Sequence, residues 1–189
     1  QKNLSIELKY LYFETGKALT AASKNLEALE MFDLFFAASN KTGASSEIIL
    51  AAHDMKAEAL AATERWEEAE EELRKAAKDA PSNHRVFLKL GVFLRNRKKP
   101  EQSLKMLEKA RELMGQMHPD FSVIRELGFT YLVMEKKDEA AECFSSIIEH
   151  LASKGEHSQF DPITAVTLAS LQEEKGQYQK AADLYRHLA

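Results

Sequence analysis

Any chemistry in this chain would have to come from six histidines, one cysteine and a run of carboxylates. The histidines are His53, His84, His118, His150, His157 and His187. A metal site on one helix needs two ligands three or four residues apart, so that both leave the same face. No two of these histidines share that spacing. Cys143 has no second cysteine with which to form a metal pair or a disulfide. It precedes Phe144 in the apolar-patterned segment AAECFSSII, which reads as the core face of a helix and makes the thiol a small core residue. The acidic run Glu64–Glu72 could attract a cation or a basic partner. However, Arg74 and Lys75 follow Glu70 and Glu71 at four-residue spacing, the pattern of a solvated helix face. Trp66 reads as packing at the start of that helix, not as an exposed binding anchor. A glycine-rich phosphate loop and a Gly-x-Ser-x-Gly elbow are both missing. The expectation is a chain with no catalytic residues, no metal site and no cofactor.

The bulk composition narrows the class further. Across 189 residues the formal net charge is −4, with 44% hydrophobic and 30% charged residues. Nucleic-acid binders concentrate basic charge on one face, so this mild acidity predicts no nucleic-acid partner. No apolar stretch approaches 18 residues, which predicts no membrane insertion. Only 7 glycines and 4 prolines punctuate the chain, and alanine is abundant. That composition favours helix over a turn-rich β fold. A single cysteine fits a reducing compartment and tilts the expectation towards the cytoplasm. The chain starts at Gln1 without a signal-like segment and reads as a piece of a longer protein.

What must position any functional surface is a repeat. Five small residues, Gly16, Ala57, Gly91, Gly128 and Ala169, are each followed twelve positions later by another, at Ala28, Ala69, Ser103, Ala140 and Ala181. Four residues beyond these come Phe32, Leu73, Leu107, Phe144 and Tyr185. Two antiparallel helices cross closely only where side chains are small, and the large residue one turn on fills the space beside the crossing. Three residues after the first small position stand Leu19, Leu60, Leu94, Tyr131 and Gln172, the last breaking an apolar register. Turn-forming residues fall between the helices at 23–25, 63–65, 96–100, 136–138 and 175–177. Pro100 suits a first helical turn, Pro81 and Pro119 fall between hairpins, and Pro162 opens the last one.

These segments resemble the tetratricopeptide repeat (TPR). The clearest matches are LGVFLRNRKKPEQSLKMLEKA (90–110), LGFTYLVMEKKDEAAECFSSI (127–147) and LASLQEEKGQYQKAADLYRHL (168–188). The resemblance implies an all-α, right-handed α-solenoid of about five TPR-like helical hairpins, spanning 1–189 as one array. Approximate repeats are 9–42, 50–83, 84–117, 121–154 and a truncated 162–189. The starts are 41, 34, 37 and 41 residues apart, and the long steps contain the polar connectors NKTGASSE (40–47) and SKGEHSQFD (153–161). Repeats of that longer length, with a motif such as LQEEKGQYQKAADLY, also resemble those of kinesin light chains. Thr15 and Lys56 depart from the family pattern, standing where leucine is preferred just before the small residue.

In this family the first helices of successive hairpins line a concave groove. The resemblance therefore implies a scaffold or adaptor that binds a peptide or helical segment of another protein there. Helix geometry selects the groove-facing residues as Phe13, Lys17, Asp54, Glu58, Arg85, Leu88, Lys89, Val92, Asn96, Arg125 and Phe129. Arg85, Lys89 and Arg125 with Leu88, Val92 and Phe129 suit a segment carrying both acidic and hydrophobic residues. Some family members grip a carboxyl terminus with a lysine–asparagine–asparagine–lysine–arginine set. Phe13, Lys17, Met55, Arg85 and Lys89 stand in those places, and without both asparagines that activity is not expected. Two alternatives stay open. One is a structural module that forms a homo-oligomer through its uncapped end, and the other is a regulatory domain of a larger enzyme.

Overall fold

The computed structural model describes residues 2–42, 44–115, 120–156 and 159–188, with side chains from residue 8 onward except 41–42. His118, Pro119, His157 and part of both polar connectors lie outside the described residues. Among the described residues every long element is a helix. The order is α1 (Lys2–Ala21), α2 (Asn25–Thr42), α3 (Ser46–Ala62), α4 (Trp66–Asp79), α5 (His84–Asn96), α6 (Pro100–Met114), α7 (Phe121–Val133), α8 (Lys137–Ser153), α9 (Pro162–Glu174) and α10 (Tyr178–Leu188). The fold is an all-α series of helical hairpins. α1 packs on α2, α3 on α4, α7 on α8 and α9 on α10.

The small-residue register is what closes these hairpins. A Cβ placed on Gly16 would lie 2.8 Å from the Phe32 ring. One on Gly91 would lie 2.6 Å from Leu107 Cγ, and one on Gly128 would lie 2.5 Å from the Phe144 ring. Each large residue thus occupies the space a side chain would need on the facing helix. The second small residues are all buried: Ala28, Ala69, Ser103, Ala140 and Ala181. The Ser103 hydroxyl lies 3.3 Å from that of Thr130, which also donates to the Glu126 carbonyl, so neither buried hydroxyl is stranded.

The turn inside each hairpin repeats one conformation. Ser23, Glu64, Lys98, Glu135 and Gly176 all have φ near +60° to +71°. Each stands seven residues after the first small position of its hairpin. The next residue donates its backbone N–H five residues back, as from Lys24 to Leu19, Arg65 to Leu60, Lys99 to Leu94, Lys136 to Tyr131 and Gln177 to Gln172. This is the Schellman arrangement, which satisfies the carbonyls a helix end leaves free. At the other ends Ser45, Asp120 and Asp161 accept from backbone N–H groups as N-caps of α3, α7 and α9. Pro100 and Pro162 occupy the first turns of α6 and α9.

The chain divides into two compact units, Gln1–Leu90 and Gly91–Ala189, with the boundary inside α5. In the first, Phe13, Ala28, Phe32, Phe35 and Ala52 form a buried cluster. In the second, a larger cluster runs from Ala140, Phe144 and Ile147 to Leu168, Ala181 and Leu184.

Three expectations need correction. α1 begins at Lys2, seven residues before the first repeat's expected start, because nothing in KNLSIELK breaks a helix. Phe13 is not on a groove: it is 8% exposed, with its ring centroid 5.6 Å from that of Phe35. The acidic run is not wholly solvated either. Glu67, Glu68 and Glu71 are exposed, but Glu72 is 3% exposed, because α4 turns that position towards α3.

Candidate functional site

In the first unit Lys17 and Glu58 are exposed, and Lys17 pairs with its own-helix neighbour Glu14 at 3.4 Å. The Lys89 ammonium on α5 reaches Asp54 Oδ2 on α3 at 2.6 Å. Asp54 Oδ1 is buried and has no hydrogen-bond partner among the described residues. Arg85 is exposed, and Leu88 is half-buried one turn from it. Arg85 and Leu88 are therefore presented beside a Lys89 whose charge Asp54 already opposes.

In the second unit Val92 is half-buried and Asn96 exposed. Arg95 on α5 pairs with Glu126 Oε2 on α7 at 2.6 Å, and its guanidinium lies 5.8 Å from the centroid of Phe129. The Phe129 ring packs 5.1 Å from that of Phe144. Arg125 stands 3.8 Å from Glu126 and 4.0 Å from Asp161, the cap of α9. Burial pushes the Asp161 carboxyl up, but hydrogen bonds from the Thr164 hydroxyl and N–H, with Arg125 beside it, hold it below the usual carboxylate range. Arg95 and Asp161 were missed by the sequence reading, although Arg95 lies one turn beyond Gly91 and pairs with Glu126 across the hairpin boundary.

A second polar group was missed altogether. His53 on α3 is buried, with Nδ1 2.7 Å from Glu72 Oε1 and Nε2 3.2 Å from Asp79 Oδ2, both on α4. The Phe36 ring on α2 covers the imidazole at 4.4 Å between centroids. Lys56 reaches Asp33 on α2 at 2.7 Å and Glu72 Oε2 at 3.6 Å, over the same Phe36 ring. Lys75 adds a contact to Glu72 at 3.4 Å. Burial pushes the Glu72 carboxyl up. The His53 hydrogen bond and the charges of Lys56, His53 and Lys75 outweigh it and hold Glu72 below the ordinary range.

The sequence signal for this cluster is positional. His53 stands where the other hairpins have Tyr12, Phe87, Ile124 and Ala165. Lys56 stands where they have Thr15, Leu90, Leu127 and Leu168, and Glu72 where they have Met31, Met106, Cys143 and Leu184. Three polar residues thus occupy apolar register positions of one hairpin. They border a cleft of about 540 Å³ between α2, α3 and α4, floored by Phe36, Ala44 and Ile49. Among the described residues no group of three histidine, cysteine or acidic side chains is arranged to hold a metal ion. Cys143 is half-buried, and burial pushes its thiol up to about 11, so it stays protonated and unreactive near neutrality. No described helix is long and apolar enough to cross a membrane.

No family model matches the chain, and no curated protein matches it in sequence. Solved structures do match in fold. A structure from the functional characterization of pilF of Pseudomonas aeruginosa superposes with a TM-score of 0.75 at 23% identity, over 97% of this chain and 76% of that one. Tetratricopeptide-like repeats of a putative kinesin light chain from Podosopora anserina give 0.70 at 19% identity, over 94% and 92%. A MamA structure from Desulfovibrio magneticus RS-1 gives 0.70 at 17% identity, over 94% and 91%. The fold of this chain is that of a tetratricopeptide-like repeat.

Proposed function

We propose that this tetratricopeptide-like chain is a protein-interaction scaffold whose first helices hold a peptide or helical segment of a partner. The observation that carries the reading is the set of ion pairs linking successive first helices on that surface. Lys89 joins α5 to Asp54 of α3, and Arg95 joins α5 to Glu126 of α7. Arg125 on α7 faces the cap of α9 at Asp161. Such pairs add little stability where solvent reaches them. They do fix side-chain positions before a partner arrives, which lowers the entropy cost of binding. Within each unit apolar residues stand beside these pairs, Leu88 in the first and Val92 and Phe129 in the second. Each set suits a segment with apolar anchors and charged flanks. Asp54 Oδ1 offers it a buried acceptor. Lys17, Glu58, Arg85 and Asn96 supply the polar rim, and the solved structures that share the fold support a scaffold role.

The test is affinity for a partner isolated by pull-down, measured by titration calorimetry with wild type and with Arg85→Glu, Leu88→Ser and Phe129→Ser. Binding weakened tenfold or more by at least one substitution, with the circular dichroism spectrum unchanged, is the expected result; undiminished affinity in all three overturns the assignment.

One observation favours a second reading, self-association through the last hairpin. Tyr178 and Ile163 are 70% and 65% exposed there, with Val166 and Tyr185 also open. Concentration-dependent light scattering that disappears on Tyr185→Lys and Val166→Lys would support it, and a concentration-independent monomer would exclude it.

A further inference from the structure

We infer that the cleft between α2, α3 and α4 is a binding site for a small carboxylic acid with an apolar body. The inference is independent of the first-helix surface.

His53 is engaged on both ring nitrogens by Glu72 and Asp79. Lys56 is shared between Asp33 and Glu72, and Lys75 between Glu71 and Glu72. Glu72 is thus enclosed by the basic side chains of the wall, and Asp79 meets His53 through one oxygen. Two groups lining the same cleft are left over. The Ser39 hydroxyl is buried, on a residue 7% exposed, and has no hydrogen-bond partner among the described residues. The Lys78 ammonium, also lining the cleft, makes no ion pair among the described residues. The hydroxyl can donate and the ammonium only donates, so the group that both would meet is an acceptor carrying negative charge.

The floor supplies the other half of the specification. Phe36, Ala44 and Ile49 give it an apolar surface, and Phe36 is held in place by its stacking on His53. A buried unsatisfied hydroxyl is costly, and three charged or ionisable residues in the apolar register of one hairpin are costly too. A ligand with a carboxylate at Ser39 and Lys78 and a hydrocarbon body on Phe36 and Ile49 satisfies the hydroxyl and uses the floor. A cationic ligand would meet Lys56, Lys75 and Lys78, with Glu72 already enclosed by His53, Lys56 and Lys75.

The test uses 4-phenylbutyrate as probe, with 4-phenylbutanamide and 4-phenylbutylamine as the neutral and cationic counterparts. Each is titrated into the ¹⁵N-labelled chain. The expected result is saturable shifts at Ser39, Ile49 and Lys78 with the carboxylate, and affinities at least about fivefold weaker for the other two, a modest charge-assisted preference. Ser39→Ala and Lys78→Ala should each weaken the carboxylate by about the same factor. Ile49→Trp should block it by filling the floor. No saturation by the carboxylate, equal binding of the amine, or shifts confined to other helices would each overturn the assignment. Should a variant not fold, Lys78→Ala, at an exposed position, still decides the question.

Discussion

His53 Nδ1 and Glu72 Oε1 lie 2.7 Å apart in the interior of the second hairpin, where its counterparts place apolar side chains. Removing one member of a buried, hydrogen-bonded polar group strands the others, whereas replacing the whole group by apolar residues removes the desolvation cost with it. Glu72→Ala should therefore cost about 3 kcal/mol. The combined His53→Phe, Lys56→Leu, Glu72→Met variant, built from residues the other hairpins use, should be neutral or up to about 4 kcal/mol more stable. The pH dependence has a definite sign. Glu72 is held below its ordinary value of 4.5, so its contribution is complete above that value and is lost as pH falls through the lower folded one. Urea unfolding at pH 3 to 7 should show a shallower acid-side loss in Glu72→Gln than in wild type. A parallel profile would mean that the carboxylate carries none of the acid sensitivity.

The hairpins were legible in the sequence because a close helix crossing admits few side chains, and Gly16, Gly91 and Gly128 recur opposite Phe32, Leu107 and Phe144. The helix breaks were equally plain at Pro81, Pro100 and Pro162. The polar cluster was not read, although Lys56 stood out as a departure. His53 and Glu72 are nineteen residues apart and meet only because α3 and α4 fold together, so each looked like an ordinary surface residue on its own helix. Phe13 was misplaced for a related reason. Single-helix geometry gives a direction, but the width of the buried stripe depends on α2, whose Phe35 ring lies 5.6 Å from that of Phe13.

Gly128 should be the least replaceable of the small residues. A Cβ there would overlap the Phe144 ring at 2.5 Å, and that ring is fully buried, with Phe129 packed against it. Gly128→Ala gains helix propensity of about 1 kcal/mol but forces a displacement costing about 1–3 kcal/mol. Net destabilisation is expected, and Phe144→Leu in the same chain should recover part of it. Thermal unfolding of the two single variants and the double gives the coupling. Strict additivity would show that the two residues do not meet.

The side chains in left-handed turns are a reserve of stability. Glu64, Lys98 and Glu135 have φ near +60°, where a residue other than glycine pays about 1–2 kcal/mol. Glycine there gives up some unfolded-state entropy, so Glu135→Gly and Lys98→Gly should each stabilise by about 0.5–1 kcal/mol. The fifth hairpin supplies the reverse experiment: Gly176, at φ +71°, should lose a similar amount on substitution by alanine. Chemical denaturation midpoints read all three. A midpoint unmoved by either glycine substitution would argue that the turn conformation differs in solution.

Gln172 should be a position at which an apolar substitution improves the fold. It occupies the register of Leu19, Leu60, Leu94 and Tyr131, and its Oε1 is buried without a hydrogen-bond partner among the described residues. A stranded acceptor of this kind costs about 1–3 kcal/mol, and leucine has a similar volume without the demand. Around it Leu168 and Leu171 line a cleft of about 510 Å³ between α8, α9 and α10, so the new side chain has apolar neighbours to meet. Gln172→Leu should raise the unfolding midpoint, and Gln172→Glu should lower it by placing a charge at the same buried site. If leucine lowers the midpoint instead, the amide oxygen is being satisfied in solution by water entering that cleft, and the register break at Gln172 is a hydrated seam between α8 and α10.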